Sequence, residues 1–322
     1  MIGELNSSHT GISPGQAAAS PPVTGRLGIV LDPSDNTIVS VTPLGPADVA
    51  GIKAGEKLIS IDGTTLNTAL NQQTNIDELL QRRIGKRTAL VTSGHENAVV
   101  LPVNTATEKR LLYRAWTEDR RALVDKLSGG RLGYVHMLDM SAEALDQLYL
   151  DLDALNEAKE GVVVDVRNNN GGFVNAYALD VFTRRPYLTM TRRDRGATPA
   201  RANLGQRALE TPTVLVVNQN TLSDSEDFTE GYRAMKLGKV VGTPTAGWII
   251  FTGQEDLIDG SALRTPGTRI TGVDGSDMEL HPRPVDIRAE RAVGESYTGH
   301  DAQLETAVKA LLAELPAGGR RD

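Results

Sequence analysis

From residue 131 onward, strand-length apolar runs alternate with helix-length stripes. Leu132–His136, Val162–Val166, Val214–Val217 and Lys239–Val241 are short and rich in β-branched residues, as expected of strands buried on both faces. Between them, Ser141–Ala158 and Ser225–Lys236 read as helices, with Ser141 as an N-cap. Asp301–Leu315 closes the chain as an amphipathic helix, with Leu304, Ala307, Ala310 and Leu311 turned inward. This alternation predicts an α/β core: a mostly parallel sheet with flanking helices.

Residues 26–104 have a shorter rhythm. Strands are expected at Leu27–Leu31, Thr37–Val41, Lys57–Ile61 and Arg87–Val91, with a hairpin signal at Asp62-Gly63. Short helices are expected at Ala47–Gly51 and Asn75–Arg83; in the second, Ile76, Leu79 and Leu80 share a face that Ile84 extends. Residues 105–130 are charged and read as a connecting helix or arm ending at Gly129-Gly130. Residues 1–25, rich in Ser, Gly, Ala and Pro, read as loop. The expected plan is therefore a segment 1–25, a small β-rich domain 26–104, a connector 105–130 and an α/β core 131–322.

Composition narrows the functions. The net charge of −7 argues against nucleic acid or an anionic membrane as partner. The absence of cysteine among 322 residues excludes disulfides, thiolate zinc sites and thiol nucleophiles, and fits a reducing compartment. No apolar run reaches the roughly 20 residues of a membrane span, and the start MIGELNSSHTGIS has no leader pattern. A cytoplasmic location is the expectation, for a chain whose abrupt start suggests a longer protein.

Two strand-end turns carry candidate chemistry. Thr221-Leu222-Ser223-Asp224-Ser225-Glu226 joins a buried strand to a helix, so Ser223 falls where open α/β sheets bind ligands. Amides at the helix start could stabilise an oxyanion, although the same residues are also good N-caps. Asp165-Val166-Arg167-Asn168-Asn169-Asn170-Gly171-Gly172 follows another buried strand, and its paired glycines permit close backbone approach. A serine nucleophile needs a base. The five histidines are His9, His95, His136, His281 and His300, and no two have zinc-ligand spacing. Local pattern suggests a surface place for His95 and a core place for His136, and does not choose a base.

These motifs resemble the C-terminal-processing and tricorn serine peptidases. Ser223-Asp224-Ser225-Glu226 resembles their nucleophile turn, and Asp165-x-Arg167-x-Asn169-x-Gly171-Gly172 a second shared element. Ala50-Gly51-Ile52-Lys53-Ala54-Gly55-Glu56, Ile59-Ser60-Ile61-Asp62-Gly63 and the loop Arg26-Leu27-Gly28-Ile29 are similar to their PDZ module. The processing branch implies a lysine base near position 248, which is Trp248 here. The tricorn branch implies a histidine in a Gly-Glu-Leu-x-x-Ser-His stretch, which Gly3–His9 matches.

The resemblance thus implies Ser223 as nucleophile, His9 as general base, and Ser8 and Glu279 as its orienting partners. It implies an oxyanion hole from Asp224 with Gly171 or Gly172, and Asp194 as a contact for basic substrate side chains. It further implies no cofactor or metal, peptide or unfolded-polypeptide substrates, and a homo-oligomer. The competing expectation is a non-catalytic ligand-binding or PDZ scaffold protein of the same fold. The upstream β-propeller and helical segments of tricorn-like chains have no counterpart in these residues.

Overall fold

The computed structural model describes residues 2–15, 23–68, 73–156, 158–184, 188–191, 193–194, 196–199 and 211–316. It divides into two compact units, residues 17–119, and residues 1–16 with 120–322. The chain opens with a single 3-10 turn, Ile2–Leu5, and a three-residue strand, β1 (Gly11–Ser13).

The small unit contains β2 (Ile29–Leu31), β3 (Ile38–Val41), β4 (Leu58–Ile61), β5 (Thr64–Thr65), β6 (Thr88–Thr92) and β7 (Ala98–Val100), with one-turn helices α1 (Pro46–Val49) and α2 (Ile76–Leu79). β2 pairs with β3, and the other four form a sheet in the order β5-β4-β6-β7. Its core is Leu27, Ile38, Ile52, Leu58, Ile61, Leu80 and Leu90. Helix α2 is shorter than its apolar spacing suggested. Arg82 has a φ of 57°, and its amide leaves the helix to donate to Val23 O at 3.0 Å. Beside β2, a groove of about 400 Å³ is lined by Leu31, Pro33, Asn36 and residues 73–77.

Across the segment read as a connecting helix or arm runs helix α3 (Thr105–Ser128). The α/β unit then follows as β8 (Leu132–His136), α4 (Ala142–Leu150), β9 (Gly161–Asp165), α5 (Asn175–Thr183), the pair β10 (Thr189–Thr191) and β11 (Ala197–Pro199), β12 (Thr213–Val217) and α6 (Asp224–Ala234). It ends with β13 (Gly238–Gly242), the hairpin β14 (Phe251–Asp256) and β15 (Ala262–Thr268), β16 (Ile287–Arg288) and α7 (Ala302–Leu312). The central sheet runs β16-β13-β12-β9-β8, parallel throughout.

Alternate residues of the sheet feed two apolar layers. Val162 and Val164 pack with Leu148, Leu179, Phe182, Phe228 and Tyr232 of α4, α5 and α6. Val163, Val214 and Val216 pack with Leu304, Ala307, Val308 and Leu311 of α7. Burial on both sides is what made these strands read as unbroken valine runs.

Other local outcomes also differ from the sequence expectation. The helix expected over Ser141–Ala158 ends its α form at Leu150 and continues as a π turn, Asp151–Leu155. There Asn156 accepts from Tyr134 N at 3.0 Å and donates to Asp151 O at 2.7 Å, so a side chain takes over the helix end. The loop-like segment 1–25 contains β1, which pairs antiparallel with β15, Gly11 facing Arg264. Three residues are too few to show a two-residue period. Helix α5 was not expected.

Beneath the loop after β9 lies a buried ion cluster. Arg167 donates from Nη2 to Asp165 at 2.7 Å and from Nη1 to Asp301 at 2.8 Å, and Tyr134 Oη donates to Asp165 at 3.0 Å. Asp301 also N-caps α7 through Leu304 N, so one residue joins the helix to the loop root. His136 is a core histidine, as expected: burial keeps its imidazole below the ordinary value, and Nε2 donates to Arg167 O at 3.1 Å. Among the described residues, no helix is long and apolar enough to cross a membrane.

Arg167 is the cation that the buried Asp165 and Asp301 share, so removing it leaves carboxylates without compensation. Arg167→Met is expected to destabilise the α/β unit by about 3–5 kcal/mol, read as a lowered midpoint in urea unfolding. An unchanged midpoint would contradict this reading of the cluster.

Candidate active site

Ser223 sits between β12 and α6 with φ 56° and ψ −127°, a backbone state that a non-glycine residue adopts only under constraint. Its surroundings supply that constraint. Thr221 Oγ1 donates to Val166 O at 3.0 Å, Leu222 N donates to Asn169 O at 2.8 Å, and Ser225 Oγ donates to Leu222 O at 2.7 Å. Ser223 N donates to Trp248 O at 2.9 Å. The turn is thus tied to the loop after β9 on one side and to residues 245–250 on the other.

Residues 245–250 form a strap held by two carboxylates. Glu226 is 1% exposed and accepts from Thr245 Oγ1 at 2.5 Å, Gly247 N at 2.6 Å and Trp248 N at 2.7 Å. Burial pushes its pKa up, while these hydrogen bonds oppose the shift. Glu279 accepts from Ile249 N at 2.9 Å and Ile250 N at 3.1 Å. It also accepts from Ser8 N at 2.6 Å and Ser8 Oγ at 3.1 Å. Burial disfavours its charged form, but the donors from Ser8, Ile249 and Ile250 prevail and hold it below the ordinary carboxylate value.

The relay continues to His9, whose Nδ1 lies 2.7 Å from Ser8 Oγ. The Ser8 hydroxyl has one proton and directs it to Glu279, so it can only accept from His9. The network therefore assigns the proton to Nδ1 and leaves the Nε2 lone pair free to take one. Burial, reinforced by the Arg264 cation, holds the imidazole below its ordinary value of 6.5, and Glu279 pulls the other way. Ser8, His9 and Glu279, the last 270 residues beyond His9 in sequence, are brought into one hydrogen-bonded chain. Among the described residues, no hydrogen bond joins His9 directly to Ser223. The two share the strap, through Glu279 at one end and the Trp248 carbonyl beside it.

The glycine pair meets the turn from the other side. A Cβ on Gly171 would lie 2.6 Å from Ser223 Cβ and 2.9 Å from Asp224 N, and one on Gly172 would lie 2.1 Å from Met140 O. Only glycine fits either place. Gly171 N donates to Asn169 Oδ1 at 2.9 Å, so that amide is engaged. Gly171 O and Phe173 N both bond to Met140, which turns the Gly172 amide the other way. Among the described residues, Gly172 N and Asp224 N have no acceptor.

Three acidic residues crowd the first turn of α6. Burial, with Asp224 and Glu226 nearby, pushes Asp227 up to about 7, against the pull of Arg283. Asp194 is exposed in the turn between β10 and β11. His95 is hydrogen-bonded to Glu56 at 3.1 Å in the small unit, and His281 and His300 are exposed. Sequence reading assigned no role to Asn169, Glu226, Thr245 or Arg264. For Glu226 the signal was present, because it closes the quoted nucleophile-turn motif. Among the described residues no group of His, Asp and Glu could hold a metal ion.

A serine at a strained strand-to-helix turn near free amides, linked through one strap to a carboxylate-oriented imidazole, combines the elements used by serine-dependent acyl-transfer enzymes. Residues 131–288 match the model of Peptidase family S41. Tricorn protease homolog 1 of Streptomyces coelicolor is 33% identical over 97% of this chain and 30% of its own length. Tricorn protease of Thermoplasma acidophilum is 29% identical over 81% of this chain and 24% of its own. The crystal structure of the tricorn protease superposes with a TM-score of 0.83 at 24% identity, covering 97% of this chain and 31% of that one, and supports the shared fold. The α/β unit therefore carries a domain of peptidase family S41, and the chain as a whole is similar to the tricorn branch. It spans between about a quarter and a third of the length of these relatives.

The imidazole environment can be tested without reference to activity. In an NMR titration, His9 is expected to protonate with a midpoint below 6.5. Arg264→Gln removes a cation and should raise the midpoint. Glu279→Gln removes an anion and should lower it. A midpoint above 6.5 in the unsubstituted chain would contradict the description of this site.

Proposed function

We propose that this chain is a serine peptidase that cleaves peptides or unfolded polypeptides through an acyl-enzyme. The observation that carries the reading is the Glu279–Ser8–His9 relay, which leaves one imidazole nitrogen unprotonated. Ser223 Oγ attacks the peptide carbonyl carbon as His9 Nε2 takes its proton, and the carbonyl π electrons move onto oxygen. That oxyanion is received by the amides of Asp224 and Gly172, with Gly171 providing the close approach. Collapse breaks the C–N bond, and His9 returns the proton to the leaving amine. Water then repeats the cycle on the acyl-serine. Ser8 and Glu279 orient the ring and stabilise its charged form.

The chemistry uses only side chains and amides of the chain. On the strength of the resemblance, we assign Asp194 to basic side chains of the substrate. The small unit, similar in sequence to a PDZ module, offers the edge of β2, unpaired among the described residues, to a substrate C-terminus by strand addition. A homo-oligomer and a cytoplasmic setting belong to the same proposal, the latter supported by the cysteine-free composition.

A fluorophosphonate probe tests the reading. The chain should be labelled at Ser223, Ser223→Ala should abolish labelling, and His9→Ala should slow it by at least about 100-fold. Equal labelling of His9→Ala would remove His9 from its role. Absence of labelling in the unsubstituted chain would favour a binding protein of the same fold.

A further inference from the structure

Asp224 enters the scheme above only through its backbone amide, yet its side chain is 1% exposed and fully engaged. Oδ2 accepts from Val174 N at 2.8 Å and from Asn175 N at 3.0 Å, and Oδ1 accepts from Asn175 Nδ2. These donors begin α5, so the carboxylate caps that helix while its own residue begins α6. A negative charge is favoured at both positive helix ends.

The capped segment starts two residues after Gly172. It is pinned on its other side by Phe173 N donating to Met140 O at 2.9 Å. Asp224 therefore carries one free amide in its backbone and grips, through its carboxylate, the segment that carries the other. We propose that the Asp224 side chain is a positioning group that sets the separation of the two oxyanion donors. This rests on the serine-peptidase reading. The carboxylate touches no reacting atom; it determines where the Gly172 amide stands relative to the Asp224 amide. Misplacement of such a group by about 1 Å costs on the order of 100-fold in rate.

The test compares the unsubstituted chain with Asp224→Asn, Asn175→Ala and the double variant Asp224→Asn/Asn175→Asp. An internally quenched peptide reports kcat and KM, and a peptide aldehyde whose hemiacetal oxygen occupies the oxyanion position reports affinity for that state. Asp224→Asn keeps the shape but turns an amino group toward a donor. It should lower kcat by about 10- to 100-fold with KM changed less than about threefold, and weaken the aldehyde in parallel with kcat/KM.

Asn175→Ala, which removes one donor and leaves the carboxylate, should act in the same direction with a smaller effect. The double variant restores complementary polarity with the roles exchanged: the amide now at position 224 donates to the carboxylate now at position 175. It should recover most of kcat and aldehyde affinity. A loss caused merely by a weakened fold would lower thermal stability without this rescue. Wild-type kcat and aldehyde affinity in Asp224→Asn would overturn the proposal, as would a kcat loss that leaves aldehyde affinity intact. If the unsubstituted chain neither cleaves the peptide nor binds the aldehyde, the peptidase reading fails and this proposal with it.

Discussion

Six residues of backbone, 245–250, hold the candidate site together. One end hangs on the buried Glu226 carboxylate, the other on Glu279, and between them the Trp248 carbonyl takes the amide of Ser223. The Ser223 turn and the Ser8–His9 segment come from distant parts of the chain, and this strap gives both a common frame. Its backbone amides feed carboxylates, which are acceptors at every lone pair and so hold several donors in fixed directions.

Such a frame is costly to build. A carboxylate withdrawn from water is unfavourable unless its oxygens are matched by donors. Glu226 has Thr245, Gly247 and Trp248, and its pKa is nevertheless pushed up by burial. The positive φ of Ser223 costs on the order of 1–3 kcal/mol on its own. It persists because Asn169, Thr221, Ser225 and Trp248 fix the turn on several sides. The same loop that fixes Ser223 presents the glycine pair, itself rooted in the Asp165–Arg167–Asp301 cluster and hence in α7. Core, Ser223 turn and glycine loop form one mechanical unit.

Much of this was legible in the residues. The parallel sheet could be read because strands covered on both faces become valine runs, as at 162–164. Ser223 and the glycine pair stood out because each follows a buried strand with residues suited to tight turns. His9 did not: it lies more than two hundred positions before Ser223 in a segment without periodicity, and the family motif selected it. Trp248 is instructive. Its identity said only that no lysine base stands there, whereas its contribution to the turn is a main-chain carbonyl, which no side-chain type encodes. The pairing of β1 with β15, and the choice of Gly172 over Gly171 as the free amide, likewise depend on backbone directions that appear only in three dimensions.

The most direct measurement is a crystal structure of the chain after reaction with a peptidyl diphenyl phosphonate. The expected result is phosphorus bonded to Ser223 Oγ, His9 Nε2 within hydrogen-bonding distance of an oxygen on that phosphorus, and the Glu279–Ser8–His9 relay unbroken. A different proton acceptor beside Ser223, with the His9 ring turned away, would contradict the shared frame described here.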